Sequence, residues 1–446
     1  AASDVYKRQL IIDALIVILC ILIGVRKGGI AVAFAGAFGL AILTFICGLR
    51  PTSPPIAVML IILAVTSLAG TLQCSGGLDL LVKWAEILLR KNPNHITFLA
   101  PIVCFLFVTF TGTAFIAMAL LPVISEVARE AGVRPERPLS VSCVASSHAI
   151  VASPLSAATA AIVGVLATHN VTLGQIFAVL FPSVLIGIIL GALSVYKRGA
   201  ELENDPEFQR RVKTGEIAVA SKSSKEYVPT KEAKIAVALF GLSVLGILIL
   251  GSFKELMPSW VVNGKTVTMT VAHVIEILAM GAACLIMFIC KVKPAAVAKS
   301  GVFNGGVVGV MVCFGVAWMA DTFFAAHKAE MVANFGAIVQ AYPWLFGIAL
   351  FAMAAILMSQ GGTIAAMMPV GITLGIAPEY LVALAPAACA VWFFPIQPNL
   401  ITSVALDTTG STSLGTYLFN HSSMRPGLVI CISSICVAFA LAKVVF

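Results

Sequence analysis

Between His95 and Glu130 the chain reads HITFLAPIVCFLFVTFTGTAFIAMALLPVISEVARE, apolar as far as Ile124 and charged only at its far end. As one straight helix this stretch would be about 54 Å long at ~1.5 Å per residue, against a hydrocarbon layer of roughly 30 Å. It is too long for a single ordinary span. Its middle holds Thr111-Gly112-Thr113, small and polar and a weak place for a helix. Two helices of about half the length, meeting at this break, predict a hairpin that dips into the membrane and returns. Backbone N–H groups freed at such a tip are tolerable only where they face protein, water or a ligand.

The rest of the composition fits that setting. Of 446 residues, 60% are hydrophobic and 11% charged, against about 25% charged in soluble domains. The class is an all-α polytopic membrane protein. A net charge of +8 is what Lys- and Arg-rich cytoplasmic loops produce, and it gives no reason to expect a nucleic-acid partner. The eleven cysteines lie mostly inside apolar runs without metal-ligand spacing, and read as small apolar side chains. Residues 1–9, AASDVYKRQ, read as a non-native leader with the native start near Leu10.

In order, spans are expected at Leu10–Val25, Ile30–Leu49 and Ile56–Gln73. An interfacial amphipathic helix carrying Leu80, Leu81, Trp84, Ile87 and Leu88 follows, then the hairpin 95–130. The stretch 138–170 is again overlong and is interrupted at Ser153-Pro154, where proline removes a helix hydrogen bond. A span to Tyr196 closes the first half, residues 10–196. Residues 197–234 hold nine Lys/Arg and seven Asp/Glu, a hydrophilic linker placed in the cytoplasm by the positive-inside bias. The second half, 235–446, repeats the programme: three spans, a mixed interfacial stretch, a second overlong run 342–376 broken at 359–363, a broken helix 380–406, and a last span. Spacings agree between the halves: Thr71 to Pro93 is 22 positions and Thr322 to Pro343 is 21; Pro93 to Pro122 is 29 and Pro343 to Pro369 is 26. Five spans per half, an odd number, predict two inverted repeats with about ten spanning helices, two re-entrant hairpins entering from opposite faces, and both termini outside.

No nucleotide fingerprint, H-E-x-x-H or nucleophile elbow occurs. Four helix breaks at corresponding places would instead aim helix N-termini at the bilayer midplane, each with about half a positive charge and unpaired N–H donors. The first set of candidate substrate-binding residues is Thr111, Gly112 and Thr113, with Ser146, Ser147, His148 and Ser153 from the partner helix. The second is Ser359, Gln360, Gly361, Gly362 and Thr363, with Gln397, Asn399, Thr402 and Asp407. His148 reads either as a proton-sensitive binding group or as a packing histidine. Asp407 must face a cavity, a partner or the interface, and could equally cap a helix near Thr408–Gly410. Small residues can also serve helix packing alone, as in the Gly187/Gly191 pair.

The order of these pieces resembles the anaerobic C4-dicarboxylate carrier family (the DcuA/DcuB type), within a broader superfamily of inverted-repeat elevator carriers. The resemblance runs from about Leu10 to the C-terminus. It rests on GGLDLL at Gly76–Leu81, LAPIV at Leu99–Val103, LPVISEVAREAGVRPERPLS at Leu121–Ser140, ASPLSAA at Ala152–Ala158 and the DTTGSTSLG…FNH run at Asp407–His421. It implies exchange of fumarate, malate, succinate or aspartate across the bacterial inner membrane. Three places depart from the family pattern. Ala114-Phe115 stands where Gly-Asn is favoured, Ile364-Ala365 where a lysine often follows SQxxT, and FPIQPN at Phe394–Asn399 where L-P-T-Y-P-T is usual. Losing a cation at a substrate-side position makes a monoanion or a different dicarboxylate an alternative. The expected function is a secondary carrier of small carboxylates with no prosthetic group and no metal. Coupling to Na+ or H+, and a homo-oligomer, stay open. An anion channel is a rival; a membrane enzyme is disfavoured because six histidines are too scattered to pair with an acid or a metal.

Overall fold

The computed structural model describes every residue except 1, 28, 167, 168, 170, 215–227, 334–336, 396 and 416–419. Seven helices among the described residues are long and apolar enough to cross a membrane. Six coincide with expected spans: Ile56–Cys74, Leu173–Val195, Lys231–Ser252, Val271–Ile289, Gly301–Ala326 and Met424–Val445. The seventh, Pro93–Thr111, is the first arm of the hairpin together with a 3-10 turn at its start. At 19 residues it is long enough to cross on its own, about 28 Å. The expected second span is a helix over Ala31–Ala41 that continues as a π turn over Ile42–Ile46. The first helix runs from Ala2 to Lys27.

Close helix crossings sit where small residues allow them. A Cβ on Gly187 would lie 2.1 Å from Ser434 Oγ, and one on Gly191 2.4 Å from Ile430 Cγ1, so Leu173–Val195 and Met424–Val445 touch through this pair. A Cβ on Gly315 would lie 1.9 Å from the Ala33 carbonyl oxygen, locking Gly301–Ala326 against the second helix.

One element departs from the all-α expectation. Ser259–Val262 and Lys265–Thr268 form an antiparallel ribbon closed by Asn263-Gly264 at φ +50° and +74°. The Asn-Gly pair between SWVV and KTVT carries that signal, because both central residues of such a turn need positive φ. Every ribbon residue is exposed.

At the start of the first broken helix, charges strap the linker to the body. Arg134 pairs with Glu136 (2.8 Å) and with Asp205. Arg137 pairs with Glu201 (2.7 Å) and donates to the carbonyls of Arg198 and Gly199 (2.8 and 3.0 Å). Asp205 also caps the helix Pro206–Lys213 by accepting from the Glu207 and Phe208 N–H groups (3.0 and 3.1 Å). The rest of the linker, 215–227, lies outside the described residues.

Burial alone would raise the Asp205 carboxyl; the Phe208 N–H, the Arg134 guanidinium and the Glu207 N–H outweigh it and hold the group below its usual range. A depressed carboxylate stabilises the fold above its unfolded-state value near 3.9, and that stabilisation is lost as pH falls through the lower folded-state value. Asp205→Asn is therefore expected to weaken the strap by about 1.5–3 kcal/mol at neutral pH. Amide exchange over residues 199–213, corrected for intrinsic rates, should quicken in wild type on acidification to about pH 3 and in the variant already at about pH 7.

Candidate functional site

The first broken helix is regular over Glu136–Ala149, leaves the helical path at 150–156 and resumes over Ala157–Leu166. Serine and threonine side chains hold the break. Ser156 Oγ donates to the Ile150 carbonyl (2.5 Å), Thr159 N–H donates to Ser156 Oγ (3.0 Å), and Leu155 N–H donates to Ser153 Oγ (3.2 Å). Ser153 is therefore a buried brace of the break itself.

Both hairpin tips close on this segment. The first hairpin breaks where expected, between Ile96–Thr111 and Phe115–Glu130, with Gly112 at φ +69°. A Cβ there would lie 2.7 Å from the Leu155 carbonyl oxygen, so the tip rests on the break with no room for a side chain. Thr111 Oγ1 donates back to the Phe107 carbonyl (2.7 Å) and to that of Thr113 (3.4 Å). The second hairpin turns earlier than expected: Trp344–Leu357 ends in Met358 at φ +53°, and Gln360 already opens the next helix, Gln360–Thr373. The reason is Ser359, whose Oγ accepts from the Gly362 N–H (3.1 Å) as an N-cap. Gln360, Gly361, Gly362 and Thr363 are thus a helical first turn and not a non-helical loop, and Thr363 Oγ1 donates to the Ser359 carbonyl (2.7 Å). A Cβ on Gly361 would lie 3.0 Å from the Ala157 Cβ. The two tips meet the chain two residues apart, at Leu155 and Ala157.

The second broken helix supplies the other wall. Pro378–Leu384 passes into a 3-10 stretch over Ala385–Trp392, where Pro386 lacks a donor, and the helix restarts at Pro398. Gln397 Nε2 donates to Ser147 Oγ (3.0 Å), Asn399 Nδ2 to Ser146 Oγ (3.1 Å), and Gln360 Nε2 to the Ser147 carbonyl (3.4 Å). Cys143 Sγ donates to the Asn399 carbonyl (3.3 Å). Residues from both candidate sets are thereby brought together at Ser146-Ser147. The adjacent His148 is fully buried, its Nδ1 against the Val144 carbonyl (3.1 Å) and its ring stacked 6.3 Å from that of Trp392.

Thr111, Gly112, Ser153, Ser359, Gly361, Gly362 and Thr363 shape the tips and the break around this cluster, and two further candidates belong to neither. Thr402 is half-buried farther along Pro398–Leu406. Asp407 organises its own loop: its carboxylate accepts from Thr409 N–H and Oγ1 (3.0 and 2.5 Å), Ser411 Oγ (2.7 Å), and Thr412 N–H and Oγ1 (2.6 and 2.7 Å). That loop meets the strap, since Glu136 N–H donates to Ser411 Oγ (3.0 Å).

A cavity of about 650 Å³ leads to the second tip, with Met358, Ser359 and Pro398 at one end and Arg26 and Lys27 exposed on its wall. In the sequence these two basic residues follow directly on the expected span Leu10–Val25. Another feature gave no sequence signal beyond its two residue types: Asp13 on the first helix, fully buried, lies 2.9 Å from His327 Nε2 across the body. Among the described residues no three His, Cys, Asp or Glu side chains converge to hold a metal.

The family model described as anaerobic C4-dicarboxylate membrane transporter matches residues 9–446. The anaerobic C4-dicarboxylate transporter DcuB of Escherichia coli O6:H1 is 35% identical over 436 residues, covering 94% of this chain and 95% of the relative. The C4-dicarboxylate transporter DcuA of Wolinella succinogenes is 35% identical over 439 residues, 98% of this chain and 100% of the relative. In fold, the chain is similar to the crystal structure of the Alcanivorax borkumensis YdaH transporter, with TM-score 0.57, 14% identity, and 91% and 87% of the two chains covered. It is also similar to MtrF of Neisseria gonorrhoeae, with TM-score 0.50, 13% identity, and 98% and 94% covered.

Proposed function

We infer the function from a plain premise: this chain belongs to the anaerobic C4-dicarboxylate membrane transporter family. It is a multi-pass membrane transporter and not an enzyme. Its cargo is a four-carbon dicarboxylate such as fumarate, malate, succinate or aspartate, exchanged across the bacterial inner membrane without covalent chemistry.

One observation carries this reading: amide and hydroxyl groups of both broken helices and the second tip meet at Ser146-Ser147. Convergent neutral donors on interrupted helices suit a carboxylate, because a helix N-terminus such as that of Gln360–Thr373 offers N–H groups and roughly half a positive charge. The substrate would exchange its oxygens for the contacts these side chains make with one another. Arg26 and Lys27 on the wall of the cavity raise the local concentration of a dianion. Each hairpin moves with its broken helix against the outer spans, so that the site opens to one face at a time. The matched spacings of the two halves support inverted repeats, and the basic loops support termini on the outer side.

Counterflow in proteoliposomes tests this. Labelled fumarate should accumulate in vesicles preloaded with succinate, and unlabelled C4 acids should compete; no competition by any organic acid would remove the assignment. Without preloaded substrate, uptake driven by a Na+ or pH gradient would favour ion-coupled symport over exchange. Gln397→Leu is expected to raise the half-saturation concentration about 5- to 150-fold, since losing a buried polar partner costs about 1–3 kcal/mol; saturation curves under counterflow read it.

A further inference from the structure

Around the two breaks, His148 Nε2, Gln397 Oε1 and Trp392 Nε1 are buried polar atoms without a hydrogen-bond partner, and so is Nδ1 of His421, which faces the Phe393 carbonyl. Buried polar groups are almost always satisfied, so orphans carried by both broken helices, two of them on rings in contact, point to a ligand. The chemistry of His148 says which kind. Its Nδ1 faces the Val144 carbonyl, which can only accept, so Nδ1 carries the hydrogen. In the neutral ring Nε2 is then a bare lone pair. Gln397 Oε1 is a second acceptor, because the amide nitrogen donates to Ser147. Of the first three orphans, the Trp392 indole N–H is the only donor. A carboxylate oxygen that also meets His148 Nε2 or Gln397 Oε1 faces a lone pair, and of these two only the imidazole can turn its lone pair into a donor by taking a proton.

No Lys or Arg belongs to the cluster. On its own helix, Glu136 and Arg137 lie at the far end, both tied into the strap, and Cys143 is committed to Asn399. The elements packed on that helix bring Cys104 from Ile96–Thr111, and Glu126, Arg129 and Glu130 at the distant end of Phe115–Glu130. Met424–Val445 brings Arg425, Cys431, Cys436 and Lys443, and the 3-10 stretch brings Cys389. Leu173–Val195 and Pro398–Leu406 bring no titratable group. His421, which faces the Phe393 carbonyl (3.1 Å) after the second break, is the other imidazole nearby. A dianion with about half a charge of compensation from a helix end is left strongly uncompensated.

We propose that His148 is the proton-binding residue of the carrier. Its Nε2 lone pair takes a proton from water as a dicarboxylate enters, and the imidazolium N–H then pairs with a carboxylate oxygen. Dianion and proton cross together and are released together. This deepens the dicarboxylate reading and rests on it.

The test is the half-saturation concentration for fumarate counterflow between about pH 6 and pH 8.5, a window around the usual histidine range. Carboxylic acids titrate near pH 4, so both carboxylates stay ionised throughout. Wild type should lose affinity as pH rises, approaching tenfold per unit, and His148→Gln should bind more weakly at the low end with a flat profile. A wild-type slope kept in His148→Gln, or a flat wild-type profile, overturns the proposal. His421→Gln should keep the slope; its loss there would move the role to His421 and also overturn it. If the His148 variant does not fold, wild-type protein in weakly buffered detergent should take up protons when fumarate is added. Fumarate binding with no pH change overturns the proposal. Counterflow insensitive to every C4 acid at every pH would instead fail the underlying function, a separate outcome.

Discussion

Gly112→Val is expected to reduce counterflow at least ~100-fold while leaving a folded, monodisperse protein. A β-branched residue at φ +69° is strained. Its Cβ would also lie 2.7 Å from the Leu155 carbonyl oxygen, and backbone cannot give way as a flexible side chain can. The tip must therefore lift from residues 150–156, and a displacement of about 1 Å at a binding site costs on the order of 100-fold in rate. Gly132 supplies the control. It too has positive φ, +72°, but a Cβ there meets nothing within 4 Å. Gly132→Val carries the backbone strain without the collision and should keep its rate within about threefold, a loss of roughly 0.6 kcal/mol. Counterflow rates per mole of folded protein separate the two. Equal losses would mean that strain, and not tip docking, is what matters.

Asp13→Ala is expected to destabilise the protein by about 1–3 kcal/mol, the cost of leaving a buried polar partner unsatisfied. Asp13 is 0% and His327 6% exposed, and the pair joins the first helix to the end of Gly301–Ala326. Removing one partner leaves the other buried without compensation, which is far worse than removing both. Asp13→Leu combined with His327→Phe should recover most of the loss. Thermal unfolding of the two purified variants in detergent reads both effects; Asp13→Ala as stable as wild type would show that the pair contributes nothing.

Length and periodicity made the helical skeleton legible, because an apolar run has to match a bilayer of fixed thickness. The overlong runs at 95–130 and 342–376 announced their breaks, and Gly112 sits at the first of them. The second break was harder to place. Ser359-Gln360-Gly361-Gly362-Thr363 looks like a loop by composition, yet a serine N-cap turns four of those residues into helix. Local capping chemistry won over small-residue content. The meeting of Gln397 and Asn399 with Ser146 and Ser147 spans 250 and 253 positions, and nothing local encodes a contact that distant. Asp407 stood out as an ionisable residue after an apolar run, but three polar neighbours in its own loop, Thr409, Ser411 and Thr412, satisfy it. The Asp13–His327 pair escaped notice for the opposite reason: a single acid inside a helical run carries no trace of a partner 314 positions away.

A cryo-electron microscopy map of the protein saturated with fumarate bears most directly on where the cargo sits. Ligand density is expected between Ser146-Ser147, Gln360, Gln397 and Asn399, with the side-chain contacts among them opened toward the carboxylates. Density at another place, such as the cavity beside His273 and Glu276, with those contacts intact, would contradict the site.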